Sequence, residues 1–441
     1  MRSPNPSLVG AVLALASTLP AAGQTLAAPP DTLRLADVLA AVAASPAVRA
    51  AQLGAAALDA EADAADAWPD PTFGVGVQPL PMQTAHGSQR SEWRLEQMVP
   101  WPGTLGLRRE AAGHAAAAAA ARADALLLDL TLEAQEAYHT LARVQAEEAL
   151  VRAFRRRLDA FAESAAVSYE VGRGPQAAIL RAQTEAWRME ERLVQLRQEQ
   201  ALALADLARL MDRPDLALAV TAGTVVVAEP EIQTDVEGLT ALARRLRPEL
   251  AALEAERRRA EAEVALARKA FYPEIGASVT YFDMAATEVP ASDHAPATTT
   301  SGADALAVGV TVRVPLDRAS RRASLDAARL RAREAETRRE ALDSAIEAGI
   351  AAHLHHMHHE RETLWVYRNR LIPQAASTAE ATLAAYTTGQ ADFLALLDAE
   401  RALFEFRLME AEVASRYGVA AARLARALGL PSYEALNTVL P

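Results

Sequence analysis

The chain has 441 residues, a formal net charge of −12 and no cysteine. That acidity argues against nucleic acid as a partner, and the missing cysteines exclude disulfides, thiolate metal sites and a cysteine nucleophile. Alanine is abundant and aromatics make up only 5% of the residues, the composition of long helices in close contact.

The first segment, 1–23, reads as a secretory signal peptide. Arg2 precedes the apolar run Leu8–Leu19, and small residues follow, with cleavage expected after Gly23 or after Ala28. The run is too short to span a bilayer, and no later segment has the ~20 uncharged apolar residues of a transmembrane helix. Export is therefore expected, and any membrane must be crossed by strands.

Residues 32–67 carry Leu35, Val38, Leu39 and Val42 at helical spacing, with a break expected at Pro46 and a stop at Trp68-Pro69-Asp70-Pro71. Two stretches of period two follow, about 72–78 and 91–99. Phe73, Val75 and Val77 alternate with Thr72, Gly74 and Gly76, and Trp93, Leu95 and Val99 with Glu92, Arg94 and Glu96. Pro100-Trp101-Pro102-Gly103 ends the pair. From Thr104 to Tyr169 there is no proline, which predicts a helix of about 100 Å at 1.5 Å per residue. A turn at Gly172-Arg173-Gly174-Pro175 starts a return helix, completing a hairpin over 104–211. A connector with a short strand-like run, Thr224–Val227, comes next.

The second half repeats this order. Tyr169 and Gly172 correspond to Tyr386 and Gly389, 217 residues later (386 − 169). Pro248 and Pro273 follow Pro46 and Pro71 by 202 residues (248 − 46). Strands are expected at about 274–282 and 306–314, closed by Pro315, then a helical hairpin over 319–428. The chain thus divides into a signal peptide (1–23), a first repeat (24–228) and a second repeat (229–441) of helix, strand, strand, long helix, turn and helix.

Strands of this length with one apolar face suit a tilted membrane crossing. Four strands cannot close a barrel, and lipid does not tolerate open edges. Several copies must pool strands, and a trimer gives twelve. The fold class expected is mainly α with a membrane β-barrel.

On the duplicated Tyr-x-x-Gly turn, Leu397-Asp398-Ala399 after the second turn, and the proline-ended strand pairs, the sequence resembles the TolC-like outer-membrane efflux (outer membrane factor) family. The resemblance implies a homotrimer with a twelve-stranded outer-membrane barrel and a long periplasmic helical barrel. It also implies docking to a periplasmic adaptor and an inner-membrane pump, with no cofactor and no catalysis. Family carboxylates and tyrosines narrow the periplasmic tip, and Asp398 and Tyr386 match those positions. Ala395, Ala391 and Ala178 stand where the family can carry further charged groups, which weakens the closing network. Tyr169, Gly172, Tyr386, Gly389 and Asp398 are the tip and gate residues so assigned; Asp398 also fits as an ordinary exposed helix residue.

No Gly-rich phosphate loop, H-E-x-x-H or G-x-S-x-G occurs, and paired acids such as Glu147-Glu148 and Glu190-Glu191 sit among arginines as solvated helix faces. The segment His353-Leu354-His355-His356-Met357-His358-His359 holds five of the nine histidines. Spacings of three and four let His353/His356 and His355/His359 each offer two imidazoles to a borderline or soft cation. The run points to metal ions as substrate, the alternative being a weakly binding His-rich surface patch, and the segment Glu96–Gly103 resembles the heavy-metal cation (CusC/CzcC-like) branch. The alternatives are export of drugs or secreted proteins through the same channel type, or a soluble periplasmic coiled-coil adaptor.

Overall fold

A computed structural model describes residues 33–84, 87–172, 174–217, 236–289, 298–299 and 301–436. The expected signal peptide, both cleavage points and the run Thr224–Val227 lie outside the described residues.

Helix α1 (Leu35–Ala43) breaks as expected, and Pro46 occupies the first turn of α2 (Pro46–Ala64), where its missing N–H costs nothing. By length and composition the stretch Leu35–Ala64 is long and apolar enough to cross a membrane, a feature not expected beyond the leader. Arg49 interrupts it, and Leu35, Val38, Val42 and Val48 are buried inside the protein.

Four antiparallel strands form one sheet in the order β1-β2-β3-β6: β1 (Thr72–Thr84), β2 (Gly87–Val99), β3 (Glu274–Ala285) and β6 (Ala305–Arg313). Between them, β4 (Glu288–Val289) and β5 (Thr298–Thr299) make a small separate ladder. The register aligns the apolar positions in rows. Val75, Trp93, Tyr281 and Leu306 form one row, and Phe73, Leu95, Val279 and Val308 the next. The opposite face carries Arg94, Glu96, Ser278, Thr280 and Thr311. On β3 the apolar-row positions Ile275, Ala277, Val279 and Tyr281 are all exposed, while Gly276 and Thr280 of the other row are buried. The contrast is confined to β3, since on β6 nearly every residue of both rows is exposed.

The first three strands run longer than their alternation indicates. Pro79 and Pro81 lie inside β1, in the stretch where the register to β2 lapses between Val77 and Met82. Among the described residues β1 has no neighbour on its other side, and prolines are tolerated at such an edge. Beyond them Met82–Thr84 pair with Gly87–Gln89 through residues that show no apolar period.

Helix α3 (Thr104–Glu170) is unbroken over 67 residues, about 100 Å long. Its upper third buries Ala111, Ala116, Ala118, Ala123 and Ala125 near α2 and α7 (Pro248–Lys269), which contribute Ala55, Ala62, Ala252 and Ala260. Small side chains let the axes approach closely, which accounts for the alanine content. Helix α4 (Gln176–Leu210) returns along α3; the short α5 (Pro214–Ala217) and α6 (Val236–Leu246) lead into α7. The second long helix is not a plain α-helix: α8 (Arg318–Val366) passes through a π-turn, Tyr367–Leu371, into α9 (Ile372–Thr387). Pro373 explains this, because it lacks an N–H for Asn369 and its ring would strike that carbonyl; one wide turn removes the conflict. Helix α10 (Phe393–Leu428) completes the second hairpin.

The main core sits halfway along the helices. There α1, α3, α4, α6, α8 and α10 bury Val38, Tyr138, Leu207, Leu239, Ile350 and Leu424, each a Leu-sized contribution of about 1.5–3 kcal/mol. The C-terminal segment is clamped onto it, since Gln135 donates to the Pro431 carbonyl at 3.2 Å and accepts from the Tyr433 N–H at 3.2 Å. A second cluster near the turns joins α3, α4 and α10 through Leu158, Leu193, Phe154 and Phe404.

Candidate channel tip and histidine patch

Both turns fold alike. Gly172 and Gly389 adopt φ of +72° and +77°, the left-handed region that lets a helix end abruptly without a Cβ penalty. Gly172 N–H donates to the Tyr169 carbonyl at 2.9 Å, and Gly389 N–H to that of Tyr386 at 3.1 Å. Nothing lies within 4 Å of where a Cβ would stand at either glycine, so the backbone angle, not crowding, selects glycine.

The two tyrosines differ in setting. Tyr169 is exposed, whereas Tyr386 packs against Phe393, edge to face at 6.1 Å, and Phe393 meets Phe161 at 6.4 Å. Among the described residues neither tyrosine hydroxyl makes a hydrogen bond, so no tyrosine network is formed within the described chain.

Asp398 lies on the exposed face of α10 and has no ion-pair partner among the described residues; nearby Arg401 pairs with Glu405 at 2.9 Å instead. Ala395 is exposed and Ala178 buried, so a carboxylate at 178 would face the helix contact rather than water.

Two acids near the tip escape a reading by family pattern. Asp392 caps α10, its carboxylate accepting from the Ala395 N–H at 2.8 Å. An Asp three residues past a turn glycine and directly before an apolar run is a legible cap signal. Glu400 is only 2% exposed and accepts from Arg157 at 2.7 Å, tying α10 to α3. Beside it Phe154 stacks on Phe404 at 4.3 Å. No local signal marks Glu400, because its partner is 243 residues away.

The five clustered histidines lie on α8, spread around its circumference. His355, His356 and His359 are exposed, while His353 and His358 are half-buried. Among the described residues, no group of three or more His, Asp or Glu side chains is placed to hold a metal ion. His353 faces a cleft of about 370 Å³ lined by Arg247, Arg423 and Arg426. Burial, and then the charges of Arg423, His356 and Arg247, hold its pKa below the ordinary value. Those guanidinium groups also oppose a cation at His353. The pair His355/His359, four residues apart on one exposed face, is the arrangement left for binding an ion.

A model of the outer membrane efflux protein family matches residues 239–430. No curated protein matches the chain by sequence. Among solved structures, a membrane protein from Pseudomonas aeruginosa is 19% identical, with a TM-score of 0.74 across 90% of this chain and 93% of its own. The outer membrane protein VceC from Vibrio cholerae is 21% identical, with a TM-score of 0.72 across 90% of this chain and 96% of its own. CusC, whose crystal structures concern folding and transmembrane channel formation, is 17% identical, with a TM-score of 0.70 across 92% of this chain and 96% of its own. CusC stands no nearer than the other two, so the likeness does not single out a heavy-metal branch. Across 239–430 the chain carries the sequence pattern of the outer membrane efflux protein family, set in a fold that nine-tenths of its length shares with proteins of the outer membrane.

Proposed function

We propose that the chain is one subunit of an outer-membrane efflux channel that conducts substrate passively from an inner-membrane pump and its periplasmic adaptor. The observation that carries this reading is the sheet: four strands with one continuous apolar face and, among the described residues, two unpaired edges, β1 and β6, joined to helices about 100 Å long. An open edge has no stable existence in lipid, so β6 of one copy must pair with β1 of the next. Three copies give twelve strands, and the chain is read as a homotrimer of two-repeat subunits. The helices carry matching unsatisfied faces. Leu180, Trp187, Val194 and Leu202 recur at near-heptad spacing along α4 and are all more than half exposed. Such a stripe fits a neighbouring helix, as in a coiled coil. The outer membrane, with the helices in the periplasm, is the location this architecture requires.

For the substrate we favour heavy-metal cations, on the His355/His359 pair and the Glu96–Gly103 segment. Export of drugs through the same conduit is the second reading, favoured by the absence of any three-ligand group among the described residues. Susceptibility of a deletion strain separates them. Hypersensitivity to soft or divalent metals alone, restored by the wild-type gene and only partly by His355→Gln/His359→Gln, supports the first. Sensitivity to drugs or dyes alone discards the metal and keeps the channel. Unchanged susceptibility to both removes the efflux role.

A further inference from the structure

Where strands give way to helices, residues from three stretches of the chain, 100–108, 266–274 and 313–321, converge on a cleft of about 410 Å³. Trp101 follows β2, Arg108 lies near the start of α3 and Lys269 ends α7. Tyr272 precedes β3, Arg313 ends β6 and Arg321 opens α8. Four of these six side chains are cationic, and the cleft's one carboxylate, Glu274, is engaged by Arg313 at 2.9 Å. Arg321 donates to the carbonyls of Ala270 at 2.7 Å and Asp317 at 3.2 Å. Among the described residues neither Arg108 nor Lys269 has a carboxylate partner.

The chain carries 57 acidic against 45 basic residues, and most of its arginines elsewhere are paired. What holds Lys269 is aromatic: its ammonium lies 5.8 Å from the centre of the Tyr272 ring, and that ring stacks on Trp101 at 4.7 Å and 15°. The platform fixes a cation without neutralising it, leaving its charge directed into the cleft.

We propose that this cleft binds an anion of the phosphate class, with Arg108 and Lys269 as the principal ligands. A guanidinium offers parallel N–H donors matched to two phosphate oxygens, and an ammonium adds a point charge. The volume falls at the small end of ligand pockets and exceeds what a bare phosphate needs, so the group can carry a substituent. Its place at the ends of the strands would put it level with phospholipid headgroups, and Glu274 and Arg313 in its lining belong to the polar row, from which a free anion would also reach it. Both sources present the same phosphate oxygens. The site stands on these side chains alone and does not depend on conduction.

The test uses full-length protein extracted in detergent and titrated separately with inorganic phosphate and with phosphatidylglycerol, with binding read by ³¹P line broadening and native mass spectrometry. Wild-type protein binds at least one probe, and R108Q/K269Q weakens that binding about tenfold or more, the loss expected for two charge-assisted contacts. The charge-preserving R108K/K269R restores most of it. Binding of phosphatidylglycerol but not phosphate identifies a headgroup site, and the converse a free-anion site. Wild-type protein that binds neither probe overturns the proposal whether or not the variants fold. Equal affinity in wild type and R108Q/K269Q for both probes overturns it as well.

Discussion

Gly418 of α10 lies directly against the imidazole of His139 on α3, so closely that a Cβ at 418 would overlap the ring. His139 is completely buried, and its ring is flanked by Tyr138, edge to face at 6.1 Å, and Tyr433 at 5.3 Å. The Ser415 hydroxyl donates to the His139 carbonyl at 3.0 Å, fixing α10 against α3 at the same level. Gly418→Ala should therefore destabilise the protein by about 1–3 kcal/mol, the cost of overpacking a filled core. Thermal unfolding in detergent reads this, and His139→Ala should recover most of the loss in the double variant. A fully stable Gly418→Ala would show that the helices can separate.

His139 also sets an acid sensitivity. Burial lowers its pKa from an ordinary 6.5 to about 4, so the folded protein holds it neutral while the unfolded chain protonates. The unfolded state binds the extra proton between those values, so stability is whole above pH 6.5 and falls as pH drops toward about 4. The span corresponds to roughly 3 kcal/mol at most. Unfolding midpoints at pH 7 and pH 4.5 should differ less in His139→Leu than in wild type; an identical difference would assign the acid loss to other groups.

The two faces of the sheet give opposite expectations for neighbouring residues. Val310 is 72% exposed in the apolar row beside Ala277, while Thr311 pairs with Gly276 in the polar row. Val310→Lys should impair assembly in the outer membrane, at a cost of about 2–4 kcal/mol near mid-bilayer. Thr311→Lys should assemble normally. Heat-modifiable migration of the extracted protein measures both, and equal tolerance would contradict the lipid-facing assignment.

Asp398 is exposed and without an ion-pair partner among the described residues, whereas Glu400 two residues on is buried against Arg157. Removing the first should alter permeation and removing the second's partner should alter stability. Asp398→Ala should reduce cation preference in single-channel recordings with little change in melting. Arg157→Ala should lower the melting temperature, because it leaves a buried carboxylate without its cation, at about 1–3 kcal/mol. Unchanged selectivity in Asp398→Ala would end its assignment to the gate.

The parts of this structure legible in the sequence are those with local causes. Period-two alternation placed Phe73, Val75 and Val77 on one face, and proline-free length predicted α3. A glycine three residues past a tyrosine marked both turns. What was not legible depends on distant partners. Nothing in the sequence orders the strands β1-β2-β3-β6, and the edge position that lets Pro79 and Pro81 stay in β1 follows only from that order. The π-turn at Tyr367–Leu371 answers Pro373, which by itself signals a break rather than a wider turn. The histidine run illustrates the reverse. Its density suggests a metal centre, yet helical geometry distributes the five rings around α8 and sets His353 among arginines. The basic cleft is likewise invisible in sequence, since Arg108, Lys269 and Arg321 meet only where two helix starts and one helix end converge.

Closing the sheet in a membrane requires strands pooled between copies. The most direct measurement is the mass of the detergent-extracted protein by light scattering, corrected for bound detergent. A particle of three chains, each 47.0 kDa less the cleaved leader and extractable only with detergent, is the predicted result. A monodisperse single chain that stays soluble without detergent would contradict it, leaving the two edges of the sheet unpaired in water.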